Sequence, residues 1–469
     1  MSDELINKLL HTINRNFKIK RIKNFTNFTC LLRIIYLIVY ISIAKESLIN
    51  PINYSSEINL VISGYGSQIL LNNSFHPQPS MVFVNGIYSD SCKASCNLGY
   101  EQRENNIKLI FNDTLNSTEL MFSGLDNIIE IDLSLFDFSQ ITSMENMFRN
   151  CYYLEKINFG NINTSSVVNM RRLFINCISL ISIDVSNFDT SKVSIMEGMF
   201  YNCKSLSRLN LSNFNTSNVE SLVDIFCNCY ELIDLDISNF DTSLVTSMDS
   251  MFYNCSGLTS IILTNFNTSK VEIFSWMFYN CTELIYIDVS NFDTSSAIDM
   301  EGMFYNCSSL LSIDVTNFNT SKVESIRILF YNCNKLTSLN VSNFDTSKMV
   351  TNMEFPFYNL SNLESIDLSN FNIQNIESLK CVFYLCQSLT SLDISFFDTS
   401  KITDFSYLFY GCTNLKSINL LNFDTSSAQD FECLFYQCHN LVSLDLTNFD
   451  TFSVTNMGFM FYKCYLINK

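Results

Sequence analysis

"NFDTSSAIDMEGMFYNC", running from Asn291 to Cys307, decides how the chain is read, because close copies of it fill most of the 469 residues. It gathers an acid, hydroxyls, aromatics and a cysteine, the ingredients of a reactive site. Its recurrence argues for architecture instead. Cysteines fall at 151, 177, 203, 229, 255, 281, 307 and 333, then at 386, 412, 438 and 464, with successive members 26 residues apart on either side of one gap. Leu360 holds the missing place, after a one-residue insertion near Pro356. A fixed period of this size is the signature of a solenoid or array.

Counting from each Cys makes the unit legible. "LISIDVSNF", Leu180 to Phe188, alternates apolar and polar residues with the period of two that marks a short strand. Asp189-Thr190-Ser191 follows, and these residue types are preferred helix N-caps because their side-chain oxygens accept orphan N–H groups. Val193, Met196, Met199, Phe200 and Cys203 then recur at three- and four-residue spacing, the apolar face expected of a helix. The expected fold is therefore an α/β repeat solenoid, leucine-rich-repeat-like, with a parallel β-sheet on one face and short helices on the other. A single unit cannot bury both of its apolar faces, so neighbouring units must stack. About thirteen units fit into residues 125–469, the last incomplete. The chain stops after Tyr465-Leu466-Ile467 begins a strand, which suggests either a fragment or end-to-end association at an uncapped C-terminal repeat.

"LLSIDVTNFNTSKVESIRILFYNC", Leu310 to Cys333, closely resembles the BspA-like leucine-rich repeats, whose shared pattern is LxxLDLSNFDTSxVxxMxxMFxxC. The resemblance covers about 340 residues and recurs many times along the chain. It implies a secreted or surface-attached protein associated with adhesion and with host or matrix binding. The chain departs from that pattern in showing no cell-wall or C-terminal membrane anchor.

Outside the array, residues 45–124 contain short β-like runs separated by polar turns and read as a small β-rich N-terminal cap that shields the first strand. Residues 1–44 pair a basic leader, carrying a local +5, with the apolar run "IIYLIVYISIA" from Ile34 to Ala44. Eleven apolar residues are too few to span a bilayer as a helix but suit a secretory signal cleaved after Ala44. An uncleaved N-terminal anchor and a buried helix are the alternatives. The formal net charge is −18, so the rest of the chain carries about −23, which opposes nucleic-acid binding.

Little in the chain points to catalysis or cofactors. Only three histidines occur, His11, His76 and His439, in no metal-ligand or Ser-His-Asp pattern, so no catalytic, cofactor or metal residue is expected. One Cys per unit offers no preferred disulfide partner and reads as packing. Cys92 and Cys96 lie outside the ladder in a polar loop and form a candidate disulfide. Asp and Asn alternate twelve residues after each Cys, from Asp137 to Asn372, and Asn at alternate places would relieve a ladder of like charges; helix capping is the expected role, with calcium binding the alternative. Tyr201, Tyr253, Tyr279, Tyr305, Tyr331, Tyr384 and Tyr410 are expected half-exposed, as packing or as a contact surface. The candidate ligand-facing strand positions are Ser182, Asp184, Ser312, Asp314, Ser391 and Asp393. The expected function is a non-enzymatic secreted or cell-surface recognition or adhesion protein that offers a repeat surface to a protein or glycan ligand. An intracellular leucine-rich-repeat scaffold for protein–protein interaction, with membrane contact only through the N-terminal segment, is the alternative.

Overall fold

The 26-residue period builds a β-solenoid. The computed structural model describes residues 56–100, 102–349, 353–420 and 422–467. The basic leader, its apolar segment and the proposed cleavage site lie outside them.

The N-terminal part is antiparallel. Strands β1 (Ser56–Ser63), β2 (Gly66–Ile69), β3 (Met81–Val84), β4 (Ile87–Tyr88), β5 (Ser95–Leu98) and β6 (Glu104–Phe111) precede β7 (Ile128–Leu135) and β8 (Lys156–Asn158). One six-stranded sheet runs β4-β3-β6-β1-β7-β8, and β2 pairs with β5. β1 runs antiparallel to both β6 and β7, whereas β7 and β8 pair in parallel, Ile131 opposite Ile157. The switch to parallel pairing is the step from N-terminal sheet to repeat array.

Most later coils contribute a two- or three-residue strand five to seven residues after the Cys, and those after Cys177, Cys307 and Cys438 contribute single bridges at Ser182, Ser312 and Ser443. Arg208–Asn210 pairs with Asp234–Asp236, and Ser391–Asp393 with Ser417–Asn419, always in parallel and displaced by one coil. A second row of single bridges, Ser221 to Ser247 to Ile273 to Asp299 to Ser325, runs along another side of the coil. Between the two rows the interior is filled by the consensus apolar positions: in one coil Leu258, Leu263, Phe266, Val271, Phe274, Met277, Phe278 and Cys281 are all buried.

The expected helices are absent: among the described residues no segment is helical. Backbone bonding and dihedral angles explain why. In the segment ending at Cys255, Met248, Ser250, Phe252 and Asn254 donate their N–H groups to Ile273, Ser275, Met277 and Tyr279 of the next coil, at 2.7–3.0 Å. The residues between them, Met251, Tyr253 and Cys255, close tight turns onto carbonyls three residues back. A helix would direct its N–H groups four residues back within the segment. It is also blocked by two left-handed residues per coil, five and one before the Cys: Ser250 and Asn254, Trp276 and Asn280, Gly302 and Asn306. Left-handed backbone costs a non-glycine residue about 1–2 kcal/mol and is most accessible to Gly, Asn and Asp. Overlapping four-residue turns place apolar side chains inward at the same three- and four-residue spacing as a helix. That coincidence produced the helical expectation.

The other consensus letters also serve the stack. Thr294 is buried; its hydroxyl donates to the Asn319 carbonyl at 3.0 Å and accepts the Asn319 N–H at 2.7 Å. Asp293 Oδ1 accepts the Ser295 N–H at 2.9 Å, which is the hydrogen bond expected of a cap, but it closes a turn and not a helix. Asn291 Nδ2 donates back to the Thr264 carbonyl at 3.1 Å. Buried phenylalanines stack coil on coil, with Phe252, Phe278, Phe304 and Phe330 separated by 5.3–5.7 Å between ring centroids. The inserted residue near Pro356 lengthens the step by one, so that Phe330 donates to Pro356 and Asn332 to Tyr358, and the ordinary step resumes with Asn359 bonding to Tyr384.

The two backbone states predict opposite orders for one pair of variants. Asn280 has φ 59°, so Asn280→Ala should be less stable than Asn280→Gly by about 1 kcal/mol in denaturant unfolding. Both variants lose the same side-chain hydrogen bonds. A helical segment would reverse the order by about the same amount, because Ala is there the better residue.

Candidate functional site

The cysteine ladder is the first place to look for chemistry, and its thiols are already occupied. Cys255 Sγ donates to the Phe226 carbonyl at 3.1 Å, Cys281 to Phe252 and Cys307 to Phe278, both at 3.2 Å, and the same bond recurs from Cys151 to Cys464. Each of these carbonyls also accepts the N–H of the Cys in its own coil, for example Cys255 on Phe252 at 3.0 Å. Cys thus fits where a small apolar side chain with one donor is needed; Leu360 fills the volume without the donor. Burial pushes the thiols of Cys151, Cys203, Cys281 and Cys386 from 9.0 up to about 12, so thiolate, the reactive form, is suppressed. Cys381 and Cys433 stand at the first left-handed position of their coils and are buried. Cys92 is bonded to Cys96, which lies within β5. Among the described residues no group of three or more His, Cys, Asp or Glu is placed to hold a metal ion.

A second ladder lies one residue before the Cys. Asn254, Asn280 and Asn306 donate Nδ2 to the Oδ1 of Asn228, Asn254 and Asn280, at 2.7, 2.8 and 2.5 Å, and Asn332 continues onto Asn306. Asn254 and Asn306, each the first residue of an Asn-Cys-Ser glycosylation sequon, therefore have their amide nitrogens engaged in the stack. Two residues before the Cys, half-buried tyrosines stack without a break from Tyr253 to Tyr410, with centroids 4.3–4.7 Å apart, and on through Tyr436 to Tyr462. Neighbouring rings cover each other's faces, so this stripe presents edges and not the flat platforms on which a sugar stacks. Cys227 occupies the equivalent place between Tyr201 and Tyr253 and is buried.

The strand row is the surface that remains variable. Ser182, Asp184, Ser312, Asp314, Ser391 and Asp393 are all exposed on it. They are not gathered into one site: the coils of Ser182 and Ser312 are five apart, roughly 24 Å at the usual strand spacing. Their acids serve the backbone first. Asp314 Oδ1 accepts the Thr316 hydroxyl at 2.6 Å and its N–H at 3.0 Å, and Asp393 does the same with Ser395 at 2.7 and 3.0 Å. Asp184 accepts the Ser186 N–H at 3.0 Å. The hydroxyl and then the N–H hold all three carboxyls below their usual range.

One part of the row departs from this polar pattern. Seven residues after the Cys, where other coils carry Asp or Asn, stands Ile262, 68% exposed; five after the Cys, where Ser is commonest, stands Tyr286, 56% exposed. Ser260 pairs with Tyr286 in the parallel ladder, so Ile262 and Tyr286 are diagonal neighbours on one face. Ile285 lies exposed beside Tyr286, and Ile233 and Leu311 lie exposed in the coils before and after these two. These residues were missed because each was read as a strand letter. Their departure from consensus is visible in the sequence, but the coil register is needed to join them into a patch.

A family model described as "Mycoplasma protein of unknown function, DUF285" matches the chain four times in tandem, over residues 116–232, 205–313, 299–392 and 378–469. The chain belongs to this family. No curated protein matches it in sequence. Among solved structures, one chain of "Crystal structure of TLR13-ssRNA13 complex" is similar at 15% identity and a TM-score of 0.23, covering 71% of this chain and 58% of that one. This chain thus spans less than two thirds of that neighbour, and the superposition is too loose to place a site.

The thiol ladder predicts an alkaline limit to stability. The unfolded thiols lose their protons near pH 9 while those of Cys203 and Cys281 hold theirs to about 12. Their contribution is whole below pH 9 and falls as pH rises from 9 to 12, by about 1.4 kcal/mol per pH unit for each such thiol. Urea unfolding across that range should show the loss, and Cys281→Ala should reduce its slope; an unchanged slope would contradict the role assigned to burial.

Proposed function

We propose that this member of the DUF285 family is a non-enzymatic recognition protein that offers the exposed strand row of its solenoid to a protein ligand. The observation that carries the reading is the division of labour within each coil. Phe, Thr, Asn and Cys of the consensus are spent on neighbouring coils, whereas positions five and seven after the Cys are exposed and varied. Repeat arrays bind through such extended surfaces, because each coil adds one more row of side chains to a rigid scaffold. The histidines that general acid–base work would use are scarce, and His439 stacks on Tyr465 at 5.3 Å.

A secreted or cell-surface location is part of this proposal. It is supported by the apolar segment Ile34 to Ala44, by the repeat's likeness to BspA-like surface proteins, and by the bonded Cys92–Cys96 pair, which suits an oxidising compartment. One observation favours the second reading, an intracellular scaffold: among the described residues fifteen cysteines are free, fourteen of them buried, which suits a reducing compartment equally well.

Two measurements test the proposal. Ser312→Arg on the strand row should abolish capture of a ligand from the native cell surface, whereas Lys322→Glu, an exposed change outside that row, should leave capture intact. Equal capture by both variants would end the strand-row reading. A fusion of residues 1–50 to a reporter should leave the cytosol; retention there would select the intracellular scaffold.

A further inference from the structure

The apolar island on the strand row has a rim of one dominant charge, and the two together specify a ligand chemistry. We propose that the patch formed by Ile262, Ile285, Tyr286 and Leu311 docks a cationic, aliphatic segment of a partner protein, with Lys or Arg side chains flanking apolar ones. The inference rests on the strand-row reading and names the partner chemistry of that surface.

Three observations carry it. First, the apolar side chains come from three consecutive coils and are 48–68% exposed; Tyr286 is the diagonal neighbour of Ile262 and follows Ile285, and the Leu311 N–H donates to the Ile285 carbonyl, so they adjoin one another. Contiguous exposed apolar area of this kind marks an interaction site. Second, the same rows hold Asp234 and Asp236 on one side and Asp288 and Asp314 on the other. Among the described residues of the strand row, the nearby cation is Arg208, opposite Asp234 at the edge of this region. Third, the rim is built to stay ionised. Asp236 Oδ1 accepts the Ser238 hydroxyl at 2.7 Å and N–H at 3.1 Å, and Asp288 accepts those of Ser290 at 2.6 and 3.0 Å. These bonds hold the carboxyls of Asp236, Asp288 and Asp314 below their usual range, hydroxyl first. An acidic ligand would meet like charge, and a purely polar one would leave Ile262 and Tyr286 in water. A basic, apolar segment satisfies both parts of the surface.

The consensus itself supplies clean variants. Asn stands at the place of Ile262 in other coils, as Asn210 and Asn340, and Ser at the place of Tyr286 in the two neighbouring coils, as Ser260 and Ser312. The double variant Ile262→Asn/Tyr286→Ser thus restores residues that the coil already accommodates and leaves the charge unchanged. Binding of labelled twelve-residue peptides to the full chain is read by fluorescence anisotropy, using alternating Lys-Leu, Lys-Ser and Glu-Leu sequences. The Lys-Leu peptide should bind wild type, at least tenfold more tightly than either control, and weaken with added salt. The double variant, with an unchanged melting temperature, should lose at least tenfold toward Lys-Leu. The proposal is overturned by equal binding to variant and wild type, by equal binding of Glu-Leu, or by no Lys-Leu binding. It is also overturned by sedimentation showing that the patch instead pairs two copies of this chain. If the peptides fail while Ser312→Arg still prevents ligand capture, the partner chemistry is wrong and the strand-row reading stands.

Discussion

Everything in the repeat depends on where the backbone N–H groups of the turn segment go. They bond to the next coil, alternate residue by alternate residue, and two left-handed residues in each coil aim them there. Asn254 closes one coil with φ 57° and donates to Tyr279 at 2.7 Å; Asn280 closes the next and donates to Tyr305, also at 2.7 Å. A coil therefore cannot satisfy its own backbone. Buried unpaired N–H groups are costly enough that each coil requires its neighbour.

The side-chain ladders follow from that spacing. Once the backbone fixes one coil against the next, identical positions sit one strand spacing apart, and identical residues can bond or stack. Thr bonds reciprocally, Asn pairs with Asn, Phe stacks on Phe and each thiol caps a carbonyl in the coil before. Asp, whose like charge does not stack well, alternates with Asn over much of the array; where Asp424 follows Asp398 directly, their repulsion opposes the hydrogen bonds that hold Asp424 ionised. The reactive-looking groups of Asn291 to Cys307 are thereby spent on structure.

Much of this was legible in the sequence. The period, the inward positions Phe292, Met300, Met303, Phe304 and Cys307, and the outward strand residues all follow from spacing. So does the hydrogen bond that the Asp293 carboxylate accepts from the backbone N–H two residues on. The helix did not follow correctly, because Val193, Met196, Met199 and Phe200 turn inward at the same spacing in a run of tight turns. A discriminating signal was present: Asn recurs directly before the Cys, and Gly198, Gly302 and Gly411 fall at left-handed places. Gly and Asn at fixed offsets mark backbone that a helix interior disfavours. The patch around Ile262 was legible only in part. Two departures from consensus can be seen in the chain, but their adjacency comes from the coil register.

The recognition reading inherits its logic from this frame, since a surface can specialise only where the ladder makes no demand. Hydrogen-bond scalar couplings measured by NMR on deuterated protein test the frame most directly. The account predicts coupling from the Asn254 amide nitrogen to the Tyr279 carbonyl carbon, across coils. Coupling to Ser250, four residues back, would mean a helix and would contradict it.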